Sequence, residues 1–279
     1  MVKIKVNCLN LDETLDCGQC FRWKKVDNKY IGVIKDRVVK LWMQENVLYV
    51  ESNKEENLEN VIKNYLDLDV DYANIEKDIS KIDETIKKCV ECSSGIRFLK
   101  QDKFETIISF IISANNNIPR IKKSIEKISE KYGKKIEYEE KLYYLFPTVE
   151  ELSVATKEEL RELGVGFRDR YIVDTTKMLL EKEVDMDILE TLDTKELKKE
   201  LIKLKGVGSK VADCIMLFAF SRKECFPVDV WIKRVMQNLY YDGKEIDNKK
   251  ILEDAENRYG MYAGIVQQHL FQNGRKGNI

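Results

Sequence analysis

The spacing of apolar positions changes once along the chain. In the first part, CFRWKKV, KYIGVIK, RVVKLWMQ and VLYVES are short runs rich in β-branched and aromatic residues. The turn signals VDNK, KD and QEN divide them, a pattern that predicts an antiparallel meander. From NLENVIKNYL onward the spacing becomes helical and dominates to the end. FETIISFIISA (104–114) is largely apolar and predicts a buried helix that halts at Asn115-Asn116-Asn117. Pro119 then opens the basic amphipathic stretch RIKKSIEKISEKYG, in the position favoured for helix starts. Further helices are predicted over VEELSVATKEELREL, RYIVDTTKMLLEK, TKELKKELIKL, the segment after Gly208, VDVWIKRVMQNLYY and GIVQQHLFQNG. The expected fold class is α+β. An antiparallel sheet domain with flanking helices takes residues 1–95, and an all-helical domain takes 96–279.

Composition narrows the function classes. The chain has 279 residues, with 48 Lys and Arg against 49 Asp and Glu and a net charge of −1. This excludes a wholly basic nucleic-acid binder but leaves room for a local basic face. Three prolines and no low-complexity tract argue against long linkers. No apolar run approaches the roughly 18–20 residues that span a bilayer. The opening MVKIKVNCLNLDETL has no apolar signal core, so a cytoplasmic protein without membrane contact is expected. Nothing in the sequence signals oligomerisation, so a monomer is expected.

Seven cysteines, an odd number without a signal sequence, fit reduced thiols better than a disulfide framework. Cys17/Cys20 and Cys89/Cys92 have C-x-x-C spacing, which raises a zinc site. Cys20 stands in the strand-like run CFRW and Cys89 in a helical pattern, so neither pair lies on a zinc-knuckle turn. Neither a metal nor another cofactor is expected. His269 is the single histidine, which removes most His-based metal sites and triads. A catalyst here must work through Lys, Asp, Glu or Cys.

A weak internal repeat carries the chemistry. EELRELGVGFRDR (158–170) and KELIKLKGVGSKVAD (199–213) each run from a helix through Gly-Val-Gly to a cation, Arg168 or Lys210. Two glycine-rich helix stops are the plain reading. The sharper one is a helix–hairpin–helix, whose glycines (Gly206 and Gly208 in the second copy) bring backbone N–H groups at a helix start close to a phosphate. A helix starting near Ser209 puts Lys210 and Cys214 on one face, with Phe218 a turn further. Lys210 would then root in an apolar wall, where desolvation lowers its pKa and favours a nucleophilic amine. Downstream, in FPVDVWIKRV, Asp229 has the type and place to cap a helix.

Together these segments resemble the helix–hairpin–helix/Gly-Pro-Asp superfamily of DNA glycosylases, and within it the 8-oxoguanine DNA glycosylases. GQCFRW (18–23), SANNNIPRI (113–121), LGVGFRDRY (163–171), GVGSKVADC (206–214), PVDV (227–230) and GIVQQHLF (264–271) follow in the family's order. The resemblance implies a twisted antiparallel N-terminal sheet packed on two helical subdomains, with a lesion pocket between them. It implies a bifunctional enzyme that flips 8-oxoguanine out of duplex DNA, opposite cytosine, and acts as glycosylase and lyase without a cofactor. By the same resemblance, Lys210 is the nucleophile and Asp229 stabilises positive charge on the sugar. The Gly18 carbonyl accepts from N7–H, a hydrogen that guanine lacks. Cys214 and Phe271 sandwich the base, Gln267 reads its Watson–Crick edge, and Phe218 lines the pocket. Asn115 fills the void, Phe167 wedges the stack, and Arg120 and Arg168 contact the orphaned cytosine.

Trp231 stands where relatives carry His at a phosphate, and Phe218 where a smaller or more flexible residue such as Met is found. No cysteine follows Cys225, so the four-cysteine iron–sulfur pattern of the endonuclease III branch is missing. Two readings compete. An alkyl-base glycosylase uses the aspartate without a hairpin lysine, and a non-catalytic hairpin module needs the glycines but not Lys210, Asp229, Gln267 and Phe271 together.

Overall fold

The structure is a computed structural model describing residues 1–279. Strand β1 (Val2–Lys5) and the short helix α1 (Leu11–Leu15) come first. β2 (Trp23–Val26), β3 (Lys29–Ile34), β4 (Arg37–Gln44) and β5 (Val47–Ser52) follow. The sheet is antiparallel throughout, in the order β1-β5-β4-β3-β2. The expected meander is therefore present, with β1 added beside β5. The run CFRWKKV forms a strand only from Trp23, and Cys20 lies buried before it. Inward residues such as Leu41, Leu48 and Val50 pack with Leu11, Leu15, Leu58 and Ile62 in one compact core. Leu58 and Ile62 belong to α2 (Leu58–Tyr65).

A larger core gathers the rest of the chain. It is built by α3 (Tyr72–Ile79), α4 (Glu84–Cys92), α5 (Lys103–Ser113) and α6 (Ile118–Tyr132), then by the helices after residue 148. Asn117 caps α6, accepting from the Arg120 N–H at 3.0 Å, and Pro119 sits in the first turn as expected. A second sheet interrupts the helices, with β6 (Lys135–Tyr138) paired to β7 (Lys141–Tyr144). The sequence pattern hides this hairpin because its turn is Glu139-Glu140, both with φ above +50°, instead of the Asn or Gly that such turns favour.

The predicted helix over VEELSVATKEELREL is two, α7 (Val149–Leu152) and α8 (Lys157–Leu160). Each starts with its own capping box, Thr148 with Glu151 and Thr156 with Glu159, so the chain restarts a helix instead of continuing one. α9 (Asp169–Leu180), α10 (Met186–Leu189), α11 (Thr194–Lys203) and α12 (Ser209–Ala219) follow. α13 (Val230–Tyr240), α14 (Asn248–Tyr259) and α15 (Ala263–Lys276) complete the chain. β1, α10 and α14 join the β6–β7 hairpin among the regular elements that the apolar spacing alone does not bring out. No helix is long and apolar enough to cross a membrane.

Candidate active site

The second Gly-Val-Gly turn joins α11 to α12 and sets where Lys210 points. Gly206 has φ +83°, and a Cβ there would stand 2.8 Å from the Tyr171 Cβ, so only glycine fits. Gly208 takes the cap position of α12 with no side-chain cap, and no atom lies within 4 Å of its would-be Cβ. No side chain therefore crowds Gly208 at the start of α12, where helix N–H groups can receive an anion. α9, which begins just after the first hairpin, steadies this turn, its Thr175 hydroxyl donating to the Lys205 carbonyl at 2.9 Å.

Lys210 is half-buried on the first turn of α12. Its Nζ lies 6.0 Å from the ring centroid of Phe110, on α5. Phe110 stacks on Phe218, and Phe218 stacks on Phe98, with centroids 5.5 and 5.9 Å apart. Phe218 is thus engaged by protein rings in a stack behind the lysine. Neighbouring Cys214 and Asp229 hold the Lys210 amine above its ordinary pKa, against the pull of burial. The expectation of a pKa lowered by desolvation is corrected: the negative charge around the amine outweighs the burial. Burial pushes the Cys214 thiol up, against the pull of the Lys210 amine beside it.

Asp229 is the N-cap of α13, and its Oδ1 accepts from the Ile232 N–H at 2.8 Å. Two residues earlier the Pro227 carbonyl accepts from Gln267 Nε2 at 3.3 Å, which ties α15 to this corner. The other amide atom, Gln267 Oε1, is buried without a partner. One turn on, Phe271 is half-buried, and its Cε1 lies 3.5 Å from the point where a Gly18 Cβ would stand. Gly18 has φ +86°, and its carbonyl takes no hydrogen bond within the protein. Lys210, Cys214, Asp229, Gln267, Phe271 and Gly18 are therefore linked around one corner.

The first hairpin serves a second group. Phe167 is 52% exposed, edge-on to Tyr171, and the Arg168 guanidinium lies 4.4 Å from its ring centroid. Arg168 itself is 5% exposed and turned inward. Its Nε donates to the Ala114 carbonyl at 2.8 Å, Nη1 to Val165 at 3.0 Å and Nη2 to Asn115 at 2.8 Å. This differs from the expectation of an arginine facing cytosine, because its donors are committed to backbone carbonyls. Asn115 is exposed at φ +51°, on the turn that Arg168 holds. Arg120 is exposed, and burial together with its charge lowers the pKa of Arg168, so the two cations share one face. Trp231 is 56% exposed beside Asp229, with the Arg234 guanidinium 5.9 Å from its ring centroid.

Phe110 is the part of the site that the sequence reading missed. It comes from a helix that reads only as buried core, and no local pattern links it to Lys210. No group of three or more His, Cys, Asp or Glu side chains is arranged to hold a metal ion.

Comparison with known proteins is consistent along the whole chain. A family model described as 8-oxoguanine DNA glycosylase, N-terminal domain, matches residues 1–107. One described as HhH-GPD superfamily base excision DNA repair protein matches residues 108–260. An N-glycosylase/DNA lyase of Arabidopsis thaliana is 31% identical over an alignment covering 94% of this chain and 76% of the plant protein. The N-glycosylase/DNA lyase of Saccharomyces cerevisiae is 30% identical, covering 94% and 82%. The solved 8-oxoguanine glycosylase/lyase of Clostridium acetobutylicum, bound to double-stranded DNA with cytosine opposite 8-oxoG, superimposes with a TM-score of 0.93. It is 43% identical, covering 97% of this chain and 93% of that one.

Proposed function

The chain belongs to the 8-oxoguanine DNA glycosylases of the helix–hairpin–helix/Gly-Pro-Asp superfamily and is a DNA N-glycosylase and lyase, and on that premise we propose how its residues divide the work. The substrate is 8-oxoguanine opposite cytosine in duplex DNA, bound by a monomer in the cytoplasm. A base inside the stack is out of reach, so it must be extruded into the corner between α12 and α15. Asn115 enters the space it leaves, Phe167 wedges the neighbouring stack, and Arg120 reads the orphaned cytosine with its free guanidinium. The N–H groups after Gly208 take one backbone phosphate, and exposed Trp231, at the start of α13, stands ready for another.

Lys210 then attacks C1′. Its amine lone pair forms the new C–N bond while the bond from C1′ to the base breaks, and the base leaves with the electron pair. Because Cys214 and Asp229 hold the Lys210 amine above its ordinary pKa, Nζ must first give up a proton. Ring opening gives a Schiff base. Loss of a 2′ proton then expels the 3′ phosphate by β-elimination. Asp229 spends Oδ1 on its helix, and its charge faces the cation that grows on the sugar.

The observation that supports this reading most directly is Gln267 Oε1. A buried acceptor left unpaired costs about 1–3 kcal/mol, and an N–H of the base's Watson–Crick edge removes that cost. Cys214 and Phe271 would close on the two faces of the ring. A phosphate-gripping module has no use for this set around a half-buried lysine. The test is strand nicking: Lys210→Gln should abolish cleavage of an 8-oxoguanine:cytosine duplex while duplex binding persists. Cleavage at the native rate by the variant would refute the assignment.

A further inference from the structure

The Gly18 carbonyl sits in a run of four whose other members are all occupied from elsewhere in the chain. Asp16 O accepts from Arg275 Nη1 at 2.8 Å, on the last turn of α15. Cys17 O accepts from Gln268 Nε2 at 2.9 Å. Gln19 O accepts from Gln101 Nε2 at 2.7 Å. Only Gly18 O is left without a donor. The Gln19 side chain is also fixed, donating to Arg97 O at 2.8 Å and accepting from the Leu99 N–H at 3.0 Å. A glycine between two pinned peptide units loses the freedom that its missing Cβ would give it.

This matters because one carbonyl must distinguish two bases that differ there by one hydrogen. A bond to N7–H is worth having only if the acceptor already points at the place where that hydrogen arrives, since a flexible acceptor surrenders the gain to ordering. Gln268 is buried on α15 between Gln267 and the Phe271 turn, so the helix that offers the base-reading groups also holds the discriminating carbonyl. Gln101 holds it from the other side. We propose that Gln268 and Gln101 are specificity-determining positioning residues, which aim the Gly18 carbonyl at N7–H by holding the carbonyls of Cys17 and Gln19. The proposal rests on 8-oxoguanine being the substrate.

The test compares native protein with Gln268→Met and Gln101→Met, each of which keeps bulk and removes the donor. Three duplexes are used, carrying 8-oxoguanine, guanine or a preformed abasic site opposite cytosine. The expected result is single-turnover excision of 8-oxoguanine slowed about tenfold in each variant, the worth of about one hydrogen bond. Guanine turnover and abasic-site nicking, neither of which uses N7–H, should stay at native rates. The half-buried Gln101 gives an independent reading should the buried Gln268 variant fold poorly. A parallel fall on 8-oxoguanine and abasic duplexes, or no change on either, would overturn the proposal. Native protein that nicks abasic DNA but leaves 8-oxoguanine in place would instead sink the substrate assignment, and the proposal with it.

Discussion

Arg168 donates from Nη2 to the Asn115 carbonyl at 2.8 Å, so the residue that ends the first hairpin holds the turn from which Asn115 projects. Its other donors close on Ala114 and Val165, which leaves the guanidinium buried and occupied. Arg168→Met should therefore act on stability as well as chemistry. Removing hydrogen bonds from a charged group is expected to cost about 2–3 kcal/mol in urea denaturation. Excision should slow about tenfold or more as the Asn115 turn loosens. Native stability in the variant would show that the turn stands without Arg168.

Arg120 should behave in the opposite way. It is exposed, and its side chain makes no hydrogen bond or ion pair within the protein. Arg120→Ala is expected to leave stability within about 0.5 kcal/mol. The preference for cytosine should fall by about tenfold, the lower end of what a good base-edge contact contributes. Equal turnover ratios across the four opposing bases before and after the change would refute the assignment.

The two glycines of the second hairpin separate fold from binding. Gly206→Ala forces a Cβ into Tyr171 at φ +83° and should cost about 2–4 kcal/mol. Gly208→Ala meets nothing within 4 Å and should cost less than about 1 kcal/mol, while a methyl beside the open N–H groups weakens duplex binding. Thermal melts and duplex titrations on both variants check the contrast.

His269 gives a pH dependence with a definite sign. Burial pushes its pKa down to about 4, and its Nδ1 is 2.8 Å from Ser93 Oγ while Nε2 has no partner. Ser93 donates its own hydrogen to the Cys89 carbonyl, so Nδ1 carries the proton and donates to Ser93. The unfolded chain protonates near 6.5 and the folded one near 4. The contribution is thus complete above pH 6.5 and lost as pH falls towards 4, by about 1.4 kcal/mol per unit. His269→Gln should flatten stability against pH in that window. An unchanged slope would contradict the burial assignment.

How much of this was legible beforehand depends on how local each signal is. Lys210, Cys214 and Asp229 follow from spacing within one turn and one cap, and the structure puts them where that spacing implies. Strands β2 to β5 were visible because their alternation and turns are local too. Arg168 reads differently in the two views, because a cation after Gly-Val-Gly looks outward in sequence, whereas three carbonyls fold over it in space. Gln268, Gln101 and Arg275 act on residues 16–19 from more than 80 positions away, a distance at which no spacing rule operates. The Glu-Glu hairpin was hidden for a different reason, since its turn carries none of the residues that announce one.

In the proposed reaction the Lys210 amine becomes covalently joined to the sugar. The direct measurement is to incubate the protein with an 8-oxoguanine:cytosine duplex, add borohydride, and map the trapped adduct by mass spectrometry of the digested complex. The expected result is a single adduct on the peptide carrying Lys210, absent from Lys210→Gln. An adduct on another residue, or trapping that survives Lys210→Gln, would contradict it.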